Sequence, residues 1–492
     1  MSTPIPTAGS KPLGLWAIII VIALFAPARS EGAPFTLRGP GVDTNSFRVT
    51  TFATNLSYPL GMARLADGSL AVVVNQGADF FSAPGRIVRL VDADDDGVAD
   101  APRTLLYSGL PAGQTSLRRG GNLMFVTGQG SGKPIIILRA GATPGAPLSL
   151  AGAININYPG SWYHPHSALF IHDVPGTTNM FDLFFQLGSQ HNYNPTTANA
   201  SISSTNVTGA IGAILGDSIY RLTIIDLGTS VRASNLTHIA RGLRNATGFV
   251  FHPETGDFYF QDNGIDGLSD ANEPLSADEL NMIRAPNLGG AVEYFGFPTN
   301  YIEYRNGRNV GGLGVQPLVA FQPLPNPLTG NESEGPNDIV FAPPGFPQGL
   351  NNGIFVSFHG KFNGGGLANE ENPLVYVDLT TTNYFHFIEG QQEDVGHLDG
   401  LLATGDSLFV ADLTTNGSLS FGSGFGVIYQ IKSLVLPPVS VTRSGGRVEL
   451  RWDFGTLQSA RSVTGPWSDV GNAASPYSVE ADQSPTFFRA RN

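Results

Sequence analysis

From about Phe47 to Lys432 the chain repeats one local pattern: a short alternating strand, a Gly- or Asp-containing turn, a second strand of aromatic and β-branched residues, then a third strand. Pro59 to Asn75, Ser167 to Ser189, Thr247 to Asn263, Asn337 to Gly360 and Asp399 to Leu413 carry the first two strands of such units. The segments GRIVRLVD, GDSIYRLTIID, DELNMI, PLVYVDL and GVIYQI supply the third, and the less regular NLMFVTGQGSGKPIIILRA brings the number of units to six. A three- or four-stranded unit of this kind cannot bury both of its faces alone, so each must pack on its neighbours and leave only short edges. The expected fold is all-β, a six-bladed β-propeller over 47 to 432. A single β-sandwich is too small for that length of chain. The irregular unit spacing sets the array apart from WD40 or kelch repeats.

Composition agrees. Gly 61 and Pro 35 against 14% charged residues favour many tight turns. The formal net charge of −13, with no basic run, argues against nucleic acid as a partner. The absence of cysteine excludes disulfides, thiolate nucleophiles and Cys-ligated metals, so any metal is held by oxygen or imidazole and redox chemistry needs a bound cofactor or another metal. At the N-terminus Lys11 precedes the apolar run PLGLWAIIIVIALFAPA, with small residues at Ala26 and Ala28. This pattern predicts a signal peptide over 1 to 28, export to the periplasm or the cell exterior, and no stable membrane span once it is removed; an uncleaved anchor is the alternative. After Lys432 the texture changes to a Pro-containing linker and short strands at hairpin spacing, which predicts an accessory β-module over 437 to 492.

In a propeller, functional residues gather where the innermost strands begin. GLRNATGFVFHPETGDFYFQDNGID, Gly242 to Asp266, places Arg244 and Asn245 just before such a strand. A guanidinium fork beside a carboxamide suits a planar ligand bearing carboxylates or carbonyls. This segment, followed by SADELNMI, resembles the glucose/sorbosone dehydrogenase family, which includes the soluble PQQ-dependent aldose dehydrogenases. Arg244, Asn245, Gly248, His252, Pro253, Gly256, Asp278, Glu279 and Asn281 fall in register with it, and the likeness extends with gaps from about Leu56 to Lys432.

The resemblance implies an oxidoreductase that oxidises an aldose or related sugar hydroxyl by hydride transfer to PQQ (pyrroloquinoline quinone) beside Ca²⁺, passing electrons to an external acceptor. His164 in HPHSALFIH matches the position of the family's base, with His166 as a rival. Arg244 would stabilise negative charge on the reduced quinone, and Asn245 would orient the cofactor. Lys361, in NNGIFVSFHGKFN, matches a segment from which it could contact the cofactor or remain a solvated loop residue. The family's Ca²⁺ carbonyls correspond to Gly264 and Ile265. Asp278 and Glu279 read as turn caps or as ligands of a second ion. Where PQQ-binding relatives carry Arg-x-Arg-Asp, this chain has Gly396-His397-Leu398-Asp399. That departure motivates a second expectation, a non-catalytic propeller binding carbohydrate or protein; a metal-dependent lactonase is a third.

DADDDGVAD, Asp92 to Asp100, carries a separate signal. Carboxylates at Asp92, Asp94 and Asp96, a turn at Gly97, a carbonyl at Val98 and Asp100 beyond it reproduce most of a Ca²⁺ loop, although Arg103 stands where an EF-hand has its bidentate acid. Five crowded aspartates repel one another unless a cation screens them, so the loop is expected to hold a structural Ca²⁺; a solvated acidic turn is the alternative.

Overall fold

The structure is a computed structural model; it describes residues 33–491 apart from 270–272, 437–438, 445, 453–454 and 481–485. The expected leader, 1–28, lies outside the described residues. Regular structure among the described residues is strand and short 3₁₀ turns. No helix among them is long and apolar enough to cross a membrane. The chain divides into two compact units, one of Ser30–Val435 and one that includes Leu436–Asn492.

Among the described residues, the larger unit contains six sheets built on four consecutive antiparallel positions, beside one two-stranded pair. Their first strands are Met62–Arg64, Gln114–Gly120, Leu169–Asp173, Gly248–Phe251, Pro336–Phe341 and Leu398–Ala403. Each first strand touches the next, and the last touches the first, so the contacts form a closed cycle. Closure is also covalently distant: the early strand Phe47–Leu56 is the outer strand of the last sheet, paired antiparallel with Gly426–Ser433.

The second strands explain the aromatic and β-branched texture. Leu70–Asn75, Leu123–Gly128, Phe258–Asp262, Gly353–Phe358 and Ser407–Asp412 are buried along their whole length, because a neighbouring sheet covers each face. A strand covered on both sides loses the polar alternation of a half-solvated one. Between sheets the cores are largely aromatic; Phe184 from the third sheet meets Phe258 from the fourth at 4.9 Å between ring centroids.

Two features depart from the pattern read in the sequence. Gln114–Gly120 is a first strand although its residues QTSLRRG show no apolar alternation, and it pairs antiparallel with Leu123–Gly128, with a register shift between Gln114 and Ser116. Asn199–Thr205 and Gly212–Leu215 lie in sequence within the third unit but extend the second sheet, through pairing with Ser149–Asn157.

Polar burial is concentrated at one end of this cycle, where first strands start and second strands finish. Asn75, Gln114, Gln186, Asn245, Asp262, His397, Asp399 and Asp412 are all buried there. The Asp92–Asp100 loop lies at the other end of its sheet: it follows Leu90, which pairs with Leu70, whereas Asn75 at the polar end pairs with Gly85.

Among the described residues, the smaller unit has two three-stranded sheets, Ser440–Ser444 with Arg447–Arg451 and Tyr477–Glu480, and Thr456–Ala460 with Ser468–Asp469 and Phe487–Arg491. Val448, Leu450, Trp452, Leu457 and Ala490 form its own core.

Candidate functional site

Asp262, the last residue of the second strand of the fourth sheet, organises the polar end. Its carboxylate accepts the backbone N–H of Arg244 at 2.9 Å and that of Asn245 at 2.6 Å, pinning both just ahead of the first strand. Burial pushes the Asp262 carboxyl up to about 7, against the pull of those two N–H donors.

The Arg244 side chain, 3% exposed, is clamped by its own chain. Nη2 lies 2.6 Å from Asp266 Oδ1 and donates to Asn192 Oδ1 at 2.8 Å, while Nε faces the same Asn192 oxygen at 3.2 Å. Tyr163 donates its hydroxyl to the other Asp266 oxygen at 2.9 Å and sets its ring 5.8 Å from the guanidinium carbon. Asn192 had no motif to mark it in the sequence, whereas Asp266 closes the segment Gly242 to Asp266. Asp262 had one, since it ends the strand that runs into the Asp-Asn-Gly turn.

His164 stands beside Arg244. Its N–H donates to the Ser189 carbonyl at 2.8 Å, and the Ser189 N–H donates to the Arg244 carbonyl at 2.8 Å. Gly188 permits this approach, for a Cβ there would sit 2.7 Å from the Arg244 carbonyl oxygen and 2.8 Å from His164 Cβ. His164 Nε2 is buried without a hydrogen-bond partner. Burial, then the Arg244 charge, holds its pKa well below the ordinary imidazole value. The rival His166 is a packing residue: Nδ1 lies 2.6 Å from the Tyr158 hydroxyl and Nε2 2.6 Å from the Lys133 carbonyl. The Tyr158 hydroxyl also accepts the His166 backbone N–H at 2.8 Å. Both ring nitrogens are thus engaged, and burial lowers its pKa to about 4.

Asn245 Nδ2 donates to Asn263 Oδ1 at 2.6 Å, and its oxygen faces Gln186 Nε2 at 3.4 Å. The next residues turn over Asp278, whose carboxylate accepts the N–H of Gly264 at 2.6 Å and of Gly335 at 3.1 Å, a structural capping role. The Ile265 carbonyl accepts the Leu275 N–H at 2.8 Å. Burial pushes Asp278 up to about 7 and Glu279 to about 8.

Farther round the ring, His359 Nδ1 meets Asp399 at 2.9 Å and its ring stacks on His397 at 3.9 Å. His397 has its own nitrogens facing the carbonyls of His359 at 2.8 Å and Gly417 at 3.2 Å. Lys361 Nζ is 2.5 Å from Glu370 and 3.6 Å from Glu371. His164, Arg244, Asn245, Gly264 and Ile265 are therefore one linked neighbourhood, whereas the contacts of Lys361 are with Glu370 and Glu371.

The Asp92–Asp100 loop is elsewhere. Carboxylate oxygens of Asp92, Asp94 and Asp96 lie within 4.8 Å of one another, and Gly97 takes a φ of 87° that favours glycine. Asp92 Oδ2 accepts the Gly97 N–H at 3.0 Å, Asp96 Oδ1 accepts that of Val98 at 2.8 Å, and Asp100 Oδ2 accepts that of Ala93 at 2.8 Å. A cavity of about 440 Å³ opens among Met62, Arg64, Arg118, Arg119, Phe170 and Leu402, on residues distinct from all those above.

No family model matches the chain. An uncharacterized protein of Borreliella burgdorferi is 32% identical over 163 residues, which are 31% of this chain; the chain spans 38% of that curated relative. Among solved structures, the calcium structure of the Trichoderma reesei Carbohydrate-Active Enzymes Family AA12 protein aligns with a TM-score of 0.51 and 16% identity, covering 82% of this chain and 98% of that one. The holo form of the pyranose dehydrogenase PQQ domain from Coprinopsis cinerea aligns with a TM-score of 0.50 and 14% identity, covering 82% and 99%. The fold is that of a PQQ domain. The PQQ-bound aldose sugar dehydrogenase of Streptomyces coelicolor is also similar, at 18% identity, 78% and 98% coverage and a TM-score of 0.48. At these identities the PQQ-domain fold is what the chain shares; its chemistry has to be argued from its own residues.

Proposed function

We propose that residues 30–435 form a six-bladed propeller oxidoreductase, exported from the cell, that oxidises an aldose or related sugar hydroxyl using PQQ beside Ca²⁺. One observation carries the reading: a buried imidazole nitrogen, His164 Nε2, has no partner and adjoins a clamped guanidinium at the polar end of the strand cycle. A buried polar atom without a partner is costly unless a ligand completes it.

The donor set fits the quinone and its cation as a pair. Arg244 and Lys361 offer positive charge to carboxylates, yet each already faces acids, Arg244 facing Asp266 and Lys361 both Glu370 and Glu371. A polyanionic quinone alone meets net repulsion there; Ca²⁺ on the Gly264 and Ile265 carbonyls would reverse it. PQQ, when bound, supplies the two-electron acceptor for the hydride that leaves the sugar carbon. His164 takes the hydroxyl proton on Nε2. Arg244 holds a fixed positive charge beside it, and Asn245 offers a carboxamide for orientation. The test is sugar-dependent dye reduction by the mature protein over a broad sugar panel, with a calorimetric PQQ titration run with and without Ca²⁺. PQQ binding is expected only with Ca²⁺. No turnover and no quinone binding in its presence would overturn the proposal.

The pH profile gives a second check. Because His164 is held below the ordinary imidazole value, it stays neutral and competent as a base when the medium is acidified through pH 6.5. The acid limb of kcat/KM is expected well below pH 6.5; a limb at 6.5 would show that another group is the base.

The Asp92–Asp100 loop is proposed to hold a structural Ca²⁺, since its carboxylates converge while lying at the opposite end of their sheet from the site. Replacing Asp94 and Asp96 with asparagine should remove about one bound Ca²⁺ and shrink the calcium-induced rise in Tm, with sugar oxidation unchanged. Calcium counting by mass spectrometry decides it.

The alternative of carbohydrate binding without chemistry is favoured by one observation, the buried His397 in the stretch where relatives supply arginines. Glycan-array binding that survives His164→Ala, together with failure of the dye assay, would select it.

A further inference from the structure

Three glutamates from two distant segments converge beside the polar end. Oxygens of Glu332, Glu334 and Glu371 lie within 4.8 Å of one another. Two ligands on opposite sides of a Ca²⁺, with bonds of about 2.4 Å, stand about 5 Å apart, so this spacing lets all three reach one ion. The backbone fixes the convergence: the Glu334 N–H donates to the Glu371 carbonyl at 3.1 Å, and the Glu334 carbonyl accepts the Gly360 N–H at 2.9 Å.

The neighbourhood is short of positive charge. Arg305 serves Glu332 but also Glu273, and Lys361 serves Glu371 but also Glu370. With Glu334 and Asp278 this makes six carboxyl groups for two cations, and no ion pair to Glu334 occurs among the described residues. Such a cluster is stable only if it holds protons or a cation.

A second, independent feature points to a ligand. Tyr304 is 2% exposed, and its hydroxyl has no partner of adequate hydrogen-bond geometry, with the Ser333 backbone only marginally placed. The hydroxyl sits within the field of Glu332, Glu334 and Asp278, which with burial raises its pKa. A buried phenol left unsatisfied amid carboxylates is accounted for by an ion or its water between them.

We propose that Glu332, Glu334 and Glu371 bind one Ca²⁺, with the Tyr304 hydroxyl facing the ion or a water on it. Oxygen-only donors select a hard cation. Asp278, bonded to the N–H groups of Gly264 and Gly335, separates this site from the Gly264 and Ile265 carbonyls and lies near both. The proposal stands whether or not the protein binds a quinone.

The experiment uses the full chain stripped with EGTA and carrying Asp94→Asn and Asp96→Asn, so that the outer loop does not contribute. Ca²⁺ is titrated by calorimetry, and Tb³⁺ luminescence is excited through tyrosine. Adding Glu334→Gln and Glu371→Gln is expected to remove one Ca²⁺ equivalent or weaken it at least tenfold. Tyr304→Phe is expected to cut sensitised Tb³⁺ emission several-fold, and Ca²⁺ to quench the emission of the parent. Unchanged Ca²⁺ stoichiometry and affinity in a folded glutamine variant would overturn the site. If that variant does not fold, Tb³⁺ emission that Tyr304→Phe leaves intact would do so. Neither readout involves PQQ or sugar, so this proposal can fail without the oxidoreductase reading failing.

Discussion

Replacing His164 with alanine is expected to lower kcat for sugar oxidation by about 10³-fold while moving Tm little. The two halves of this expectation come from different contacts. Nε2 makes no hydrogen bond, so truncation there leaves no orphaned partner, and it removes the edge contact with the Tyr163 ring at 4.6 Å. The bonds that hold the loop run through the backbone N–H, which alanine keeps. Removing the base, in contrast, leaves the hydroxyl proton with no acceptor at that position. Steady-state kinetics on the PQQ- and Ca²⁺-loaded protein, with calorimetric quinone binding as control, separates loss of chemistry from loss of cofactor. A variant that keeps more than a tenth of wild-type kcat would remove His164 from the mechanism. His166→Ala should behave oppositely, since it unpairs the Tyr158 hydroxyl and the Lys133 carbonyl and so lowers Tm first.

This contrast shows what could be read from the chain before its fold was known. The two histidines stand two residues apart in one short loop, and nothing local distinguishes them; the difference lies in Tyr158 and Lys133, which only tertiary structure brings near. Second strands were legible, because burial on both faces leaves a continuous apolar run such as LAVVVN or GIFVSF. The first strand Gln114–Gly120 was not, since it meets the polar end and carries glutamine, threonine, serine and arginines instead of alternating apolar residues. Arg244 and Asn245 were legible from their place ahead of a strand, whereas the clamp on Arg244 comes from Asn192, 52 residues earlier in a loop without periodicity. The Glu332, Glu334 and Glu371 cluster was invisible for the same reason: strand pairing between Pro336–Phe341, Gly353–Phe358 and Leu374–Asp378 assembles it.

Substitution of Arg244 tests whether that clamp serves the fold, the chemistry or both. Arg244→Ala removes a guanidinium bonded to Asn192 and Asp266; because Asp266 is 38% exposed and water can replace part of the interaction, the expected destabilisation is about 2 kcal/mol, less than for a fully buried pair. Arg244→Lys should recover part of that stability, since one ammonium can still reach Asp266. It should not recover activity: a point charge cannot span Asn192 and Asp266 while presenting a planar fork, so kcat/KM is expected to stay about 10²-fold down. The alanine variant carries a further signature. Arg244 contributes to holding the His164 pKa down, so its removal should move the acid limb of any residual activity upward, toward pH 6.5, while the lysine variant keeps that limb near its wild-type position. Urea unfolding and the pH dependence of kcat/KM read the two effects separately. A lysine variant with wild-type kcat/KM would reduce Arg244 to a structural ion pair, and an acid limb unmoved in the alanine variant would show that the charge of Arg244 does not tune the base.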